Sequence, residues 1–181
     1  MTVLDRLRWP IIFLAAIWGI QLVNGLSGYM LNNWFGLLPR TFRGLDGILF
    51  MPLLHGSLAH AAANTIPIVV LGSLVVATAP RVAMAATTII VVLGGIAVWL
   101  LGKTAIHIGA SGLIFGWFGF LLVRGLIEKR AIPLLIAIAI VVLYGGMFWG
   151  VLPGQPGVSW EAHLFGFIAG AAAAVLLRSG R

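Results

Sequence analysis

One serine stands out among the side chains with catalytic potential. Ser111 lies in the run Gly109-Ala110-Ser111-Gly112, where small neighbours permit a tight turn and the close approach of another molecule. If a helix begins there, its free N–H groups and partial positive charge suit a developing oxyanion. A serine that only caps a helix is the plainer alternative.

His163 is the candidate partner of that serine. An imidazole within hydrogen-bonding reach of a serine hydroxyl acts as its general base. Gly166 and Gly170 follow at helical spacing and form a face of small residues that lets helices pack closely. A histidine that only bonds across helices to hold a bundle together is the alternative.

His60 and Asn64 are four residues apart and therefore share one face of a helix. Both side chains donate hydrogen bonds, so the pair would form part of an oxyanion hole if it faced Ser111. A buried polar pair that ties two helices together explains the same spacing.

The elements that position these side chains are membrane spans by composition. Of 181 residues, 61% are hydrophobic and 8% are charged, against roughly 45–50% and 25% in soluble domains. The mean hydropathy is +1.13. These values exclude a soluble globular enzyme, a coiled coil and a disordered chain. The chain has no cysteine, which excludes disulfides and thiolate chemistry.

The apolar segments predict an all-α polytopic membrane protein with six transmembrane helices. Their continuous apolar character favours helices over the alternating strands of a membrane barrel. Most approach the ~20 residues that cross ~30 Å of hydrocarbon. In a single domain over residues 1–181, the predicted spans are about residues 9–30, 57–79, 82–101, 111–123, 132–151 and 160–177.

The basic residues indicate the orientation of these spans. With the N-terminus in the cytoplasm, eight of the 11 lysines and arginines fall in inside connections, as the positive-inside rule requires. We therefore expect both termini in the cytoplasm. The net charge of +7 is spread singly or in pairs between apolar runs, so we expect no nucleic-acid partner.

The fourth predicted span is too short to cross the bilayer. Only 11 residues separate Gly112 from Arg124, or roughly 17 Å of helix. If Arg124 lies at the cytoplasmic surface, Ser111 lies below the outer surface and the preceding loop must dip to reach it. Non-helical backbone at that depth is tolerated where it lines a water-filled cavity. The sequence therefore predicts a short central helix beneath a wet pocket open to the outside.

The outer ends of the second, fourth and sixth spans converge on that pocket. They bring Ser111, His163, His60 and Asn64 together, and the remaining histidines, His55 and His107, lie on the same side. Ionisable residues within a membrane are costly and indicate function.

Four histidines on one side would also suit a zinc transporter or a metalloprotease. The sequence has no His-Glu-x-x-His motif, so we expect no metal.

A catalytic carboxylate is hard to assign. Asp5 and Glu128 are expected at the cytoplasmic side, and Asp46 lies in the outer connection. Glu161 is two residues from His163 and points to a different side of the helix. The residues favour a Ser–His dyad over a triad with an acid.

The outer connection over residues 31–55 is long, aromatic and basic. This composition favours a structure lying in the membrane interface, although a plain connecting loop is the alternative.

Three motifs together resemble the rhomboid intramembrane serine proteases. They are His60-x-x-x-Asn64, Gly109-Ala110-Ser111-Gly112 and Ala162-His163-x-x-Gly166-x-x-x-Gly170, and they follow in order on alternate spans over nearly the whole chain. The resemblance implies a rhomboid-like bundle in the bacterial inner membrane. It also implies cleavage of single-span membrane proteins near the outer face without a cofactor, with lateral substrate access between the second and fifth spans.

The resemblance also implies roles for individual residues. Ser111 would be the nucleophile and His163 the general base and acid, while His60, Asn64 and the Ser111 N–H would form the oxyanion hole. Structural support would come from His55, Gly109, Gly112, Phe115, Gly166 and Gly170.

The sequence departs from the family pattern at two places. Phe115 stands where many members have a tyrosine that stacks on the histidine, and Asp46-Gly47 stands where many have Trp-Arg. The alternative function is a catalytically silent relative that binds client transmembrane helices. Such relatives usually lack the serine or the histidine, and both are present here.

Overall fold

The computed structural model describes residues 3–178, with side chains from residue 8 onward, and all of its regular elements are helical. Short 3-10 helices occupy Phe42–Gly44, Met51–Leu53 and Gly145–Val151. The α-helices are α1 (Val3–Leu26), α2 (Met30–Phe35), α3 (Gly47–Phe50), α4 (Leu58–Thr78), α5 (Ala83–Leu101), α6 (Ser111–Ile127), α7 (Ala131–Tyr144) and α8 (Trp160–Leu176).

Four of these segments are long and apolar enough to cross a bilayer. They are Arg8–Leu26, Leu58–Thr78, Ala83–Leu101 and Ala131–Val151. The apolar helices α6 and α8 have 17 residues each, or roughly 25 Å. The all-α prediction is confirmed for the described residues, and the count of six membrane crossings stays a prediction.

Two helices end at positions that differ from the ends of the predicted spans. α1 ends at Leu26 rather than near residue 30, because Gly28 and Tyr29 take positive φ angles of 64° and turn the chain into α2. The fourth predicted span does not stop before Arg124, since α6 continues to Ile127. The Arg124 guanidinium bonds the carboxylate of Glu128 one turn further on, so its charge is paired within the helix and does not end it.

α6 is the centre of the bundle. Its ten consecutive residues from Gly112 to Leu121 are all buried, and it packs against α4, α5, α7 and α8. α7 is much less buried than α6, because Ala137 and Ile140 are its only buried residues. The helix that begins at Ser111 is therefore held on all sides, whereas α7 is held on one narrow strip.

α6 and α8 approach so closely that only glycine fits at their contact. A Cβ atom on Gly170 would lie 1.8 Å from the carbonyl oxygen of Gly116, and one on Gly166 would lie 2.0 Å from that of Gly112. Both distances are far below van der Waals contact. Backbone lies against backbone here, and this sets the separation of the two helices.

The outer connection is structured rather than a plain loop. Leu37 pairs with His107 in an antiparallel bridge, and the Arg40 guanidinium donates to the carbonyls of Leu100 and Gly102 at the end of α5. The connection is thereby tied to the loop that precedes α6. Its expected position in the membrane interface stays a prediction.

We expect Gly170→Ala to destabilise the bundle by about 3 kcal/mol, because the added methyl group overlaps the Gly116 carbonyl and must push the helices apart. Thermal unfolding in detergent micelles measures this. Gly19→Ala is the matched control, since its Cβ would meet nothing within 4 Å. Equal stability of the two variants would contradict the close packing of α6 against α8.

Candidate active site

Ser111 is placed by a sharp turn at the start of α6. Gly109 has a φ of +118°, a conformation that side chains disfavour. A Cβ there would also lie 2.9 Å from the His60 ring. Ala110 is the N-cap of α6, so the first N–H groups of the helix, beginning with that of Ser111, have no intrahelical acceptor.

Ser111 and His163 form a hydrogen-bonded pair. The Ser111 Oγ lies 2.8 Å from His163 Nε2, and His163 Nδ1 lies 2.8 Å from the Gly150 carbonyl oxygen. Because a carbonyl only accepts, Nδ1 carries the proton and Nε2 is left to accept the serine O–H. The imidazole is thus held in the tautomer that suits a general base.

The Gly150 carbonyl was missed by sequence reasoning. It belongs to the 3-10 helix that follows α7, and a backbone oxygen leaves no signature in residue type. The one available hint is that residue 150 is a glycine, since a Cβ there would lie 3.0 Å from His163 Nδ1.

Phe115 covers one face of the imidazole. Its ring centroid is 4.2 Å from that of His163, and the two rings are tilted by only 9°. Phe115 lies one helical turn after Ser111, so the same helix supplies both the hydroxyl and the stacking ring. Together with Gly150, this stack fixes the plane and the rotation of the imidazole.

His60 and Asn64 lie beside the same serine. Both line a cavity of about 720 Å³ that also includes Ser111 and His163. The Asn64 amide nitrogen donates one of its two N–H groups to the His60 carbonyl oxygen within α4 at 3.1 Å, and its second N–H remains as a donor. The structure therefore brings the four residues together around one cavity.

The sequence model of the Rhomboid domain matches residues 43–180. The chain belongs to the rhomboid family. Family membership and the long apolar helices indicate an integral, multi-pass membrane protein.

The similar bacterial proteins are uncharacterized. A protein of Mycobacterium tuberculosis is 42% identical, with 95% of this chain and 78% of that protein covered, and the values for Mycobacterium bovis are the same. A protein of Mycobacterium leprae is 40% identical over 95% of this chain and 74% of its own length.

His55 supports the serine turn of this rhomboid-family protein from below. Its side chain is fully buried, its ring lies 4.9 Å from that of His60, and its Nε2 accepts the Ala110 N–H at 3.4 Å. Burial, with a smaller contribution from His60, lowers the pKa of His55 to about 4. The ring is therefore neutral at pH 7.

His107 holds the rim of the cavity rather than its floor. Its Nε2 donates to the Lys103 carbonyl oxygen at 3.0 Å, and its Nδ1 accepts the Ser159 hydroxyl at 2.5 Å. Ser159 is the N-cap of α8, where it accepts the Ala162 N–H. The loop before Ser111 is thus tied to the start of the helix that carries His163.

Glu161 reinforces the same link and makes no hydrogen bond to His163. It is 3% exposed, and its Oε1 accepts the Lys103 N–H at 3.2 Å. Within the described residues, His163 donates its second hydrogen bond to a backbone oxygen instead of a carboxylate.

We expect His107→Ala to loosen this rim, because it removes two buried hydrogen bonds worth roughly 1–3 kcal/mol. Amide hydrogen exchange should become about tenfold faster at Ala162 and along residues 103–110. Thr104→Ala is the control, since it removes only the exposed contact with Arg40 in the same loop. Unchanged exchange in His107→Ala would show that the rim does not depend on the imidazole.

Proposed function

We propose that this protein is an intramembrane serine endopeptidase that cleaves transmembrane proteins with a Ser111–His163 dyad. The observation that carries the proposal is the 2.8 Å contact of Ser111 Oγ with an imidazole whose other nitrogen is bonded to Gly150. Family membership supports the reaction class. The presence of both residues argues against a silent relative that only binds client helices.

The first half of the reaction is acylation of Ser111. His163 Nε2 takes the hydroxyl proton as Oγ attacks the scissile carbonyl carbon. The resulting imidazolium is stabilised by the Gly150 carbonyl, which accepts the Nδ1–H. That proton on Nε2 then passes to the leaving amine nitrogen when the C–N bond breaks.

The developing oxyanion is stabilised by three groups around the serine. The N–H at the start of α6 points out of the helix end, and the His60 side chain lies against Gly109 beside Ser111. Asn64 supplies the third donor through the amide N–H that is not bonded to the His60 carbonyl. Donors that are already in position stabilise the charge that develops in the transition state.

The second half is hydrolysis of the acyl-enzyme. The cavity of about 720 Å³ has room for water and for an extended peptide, and His163 activates the water as it activated the serine. A substrate helix must unwind to expose its carbonyls, so helix-weakening residues in the substrate favour cleavage. We place the access path beside the loosely packed α7.

The proposed location is the bacterial inner membrane, with the cavity open to the outer face. The distribution of lysine and arginine supports cytoplasmic termini, and the similar proteins are bacterial. The proposed substrates are single-span membrane proteins.

We expect Ser111→Ala and His163→Ala each to lower cleavage of a transmembrane substrate in liposomes by at least ~10³-fold. Both should also abolish labelling by a fluorophosphonate probe. Ser27→Ala is the control, because that hydroxyl bonds the Asn24 carbonyl outside the cavity. Cleavage at the wild-type rate in folded Ser111→Ala would refute the assignment, and a folded wild type that neither labels nor cleaves would favour client binding.

Removing one oxyanion-hole donor should reduce cleavage less than removing either residue of the dyad. Asn64→Ala should lower kcat by about 10²-fold with little change in KM, because the amide acts on the transition state and not on the bound substrate. The comparison is Ala63→Ser, a neighbouring change in the same cavity lining that leaves the donor in place. A loss confined to KM would assign Asn64 to substrate binding instead.

A further inference from the structure

A second cavity lies at the end of the bundle opposite Ser111. It has a volume of about 360 Å³ and is lined by Arg81, Arg124 and Arg178 together with Glu128. Arg124 follows Ser111 by 13 residues on α6, which places this cavity about 20 Å from the serine along the helix. It therefore shares no residue with the proposed catalytic site.

In this second cavity, called the arginine cavity below, only one of the three arginines is paired with a carboxylate among the described residues. Arg124 bonds both carboxylate oxygens of Glu128 and the hydroxyl of Thr78. Within residues 3–178, the guanidinium groups of Arg81 and Arg178 have neither an ion pair nor a hydrogen bond, and both residues are exposed. Two positive charges thus remain available at the cavity.

We propose that the arginine cavity binds the phosphate group of an anionic ligand, carried by a membrane lipid or by a soluble phosphate compound. The planar fork of arginine matches phosphate oxygens with two parallel hydrogen bonds. Basic pockets between membrane helices commonly hold anionic head groups. This binding is independent of the proposed protease reaction.

Two further features of the cavity suit such a ligand. The amino end of α5 reaches it at Val82, whose side chain makes no capping hydrogen bond, so N–H groups at that end are open to an anion. The cavity is also lined by apolar residues, among them Phe120, Ala174 and Leu177. A phosphate with a glycerol or acyl portion would contact both kinds of surface.

A competing explanation is that the arginines only offset the helix ends. The carboxyl ends of α4, α6 and α8 also meet at this cavity, and cations stabilise such ends. Arg124 fits this explanation, since it bonds Thr78 at the end of α4. Arg81 and Arg178 make no such bond. The two explanations differ in whether the effect of these arginines on stability depends on a phosphate ligand.

The test measures lipid binding to the purified full chain in detergent micelles by native mass spectrometry, together with the shift in thermal unfolding. Phosphatidylglycerol is compared with phosphatidylcholine, and glycerol 3-phosphate with sodium chloride at equal ionic strength. The test variant carries Arg81→Gln and Arg178→Gln. The matched control carries Lys129→Gln and Arg130→Gln, which remove the same charge near the same end of the bundle but outside the cavity.

We expect phosphatidylglycerol to bind the wild type and the control and to raise their Tm. In the test variant its affinity should fall by roughly tenfold or more. Ser111→Ala should bind as the wild type does, whatever its proteolytic activity. Stabilisation by glycerol 3-phosphate would show that the phosphate suffices, and stabilisation by the lipid alone would assign the site to a head group.

Two results would overturn the proposal. One is equal phosphatidylglycerol binding by the test and control variants, which would reduce the effect to general surface charge. The other is a test variant whose Tm is lower by the same amount with and without phosphate ligands. That result would show that the arginines only stabilise the carboxyl ends of the helices.

Discussion

The backbone contact between α6 and α8 is the constraint on which the site depends. With Gly166 and Gly170 against the carbonyls of Gly112 and Gly116, the two helices are as close as helices can be. Ser111 lies one residue before this contact on α6, and His163 lies three residues before it on α8. Their 2.8 Å separation is therefore a consequence of helix packing, and no flexible loop sets it.

Because the hydrophobic effect does not drive helices together within lipid, this contact relies on close packing and on polar bonds at its edges. These polar bonds lie at the outer rim of the cavity. His107 and Glu161 connect the loop before α6 to the first turn of α8, and His55 receives the Ala110 N–H under the serine turn. The side chains that surround the dyad thus hold backbone segments in register, and among the described residues no carboxylate is hydrogen-bonded to the dyad.

The sequence predicted those features of the structure that follow directly from residue type and spacing. Small residues at i and i+4 predicted the closely packed face of α8, and the long apolar runs predicted the helices that cross the bundle. It was uninformative where a backbone atom or a distant partner decides the outcome. The Gly150 carbonyl has no residue signature, and the hydrogen bond of Arg124 to Thr78 joins residues that are 46 positions apart in the chain. The Asn64 rotamer likewise depends on its own helix backbone.

The two ends of α6 differ in their polar environment. At Ser111 its first N–H groups lack intrahelical acceptors beside the cavity, where the proposed reaction develops a negative charge. Near its carboxyl end, the guanidinium of Arg124 is paired with the carboxylate of Glu128. The middle of the helix, from Gly112 to Leu121, is wholly buried and is therefore fixed by packing. Under the proposed function, movement that admits a substrate comes from the surrounding elements, and α7, with two buried residues, has few buried contacts to lose.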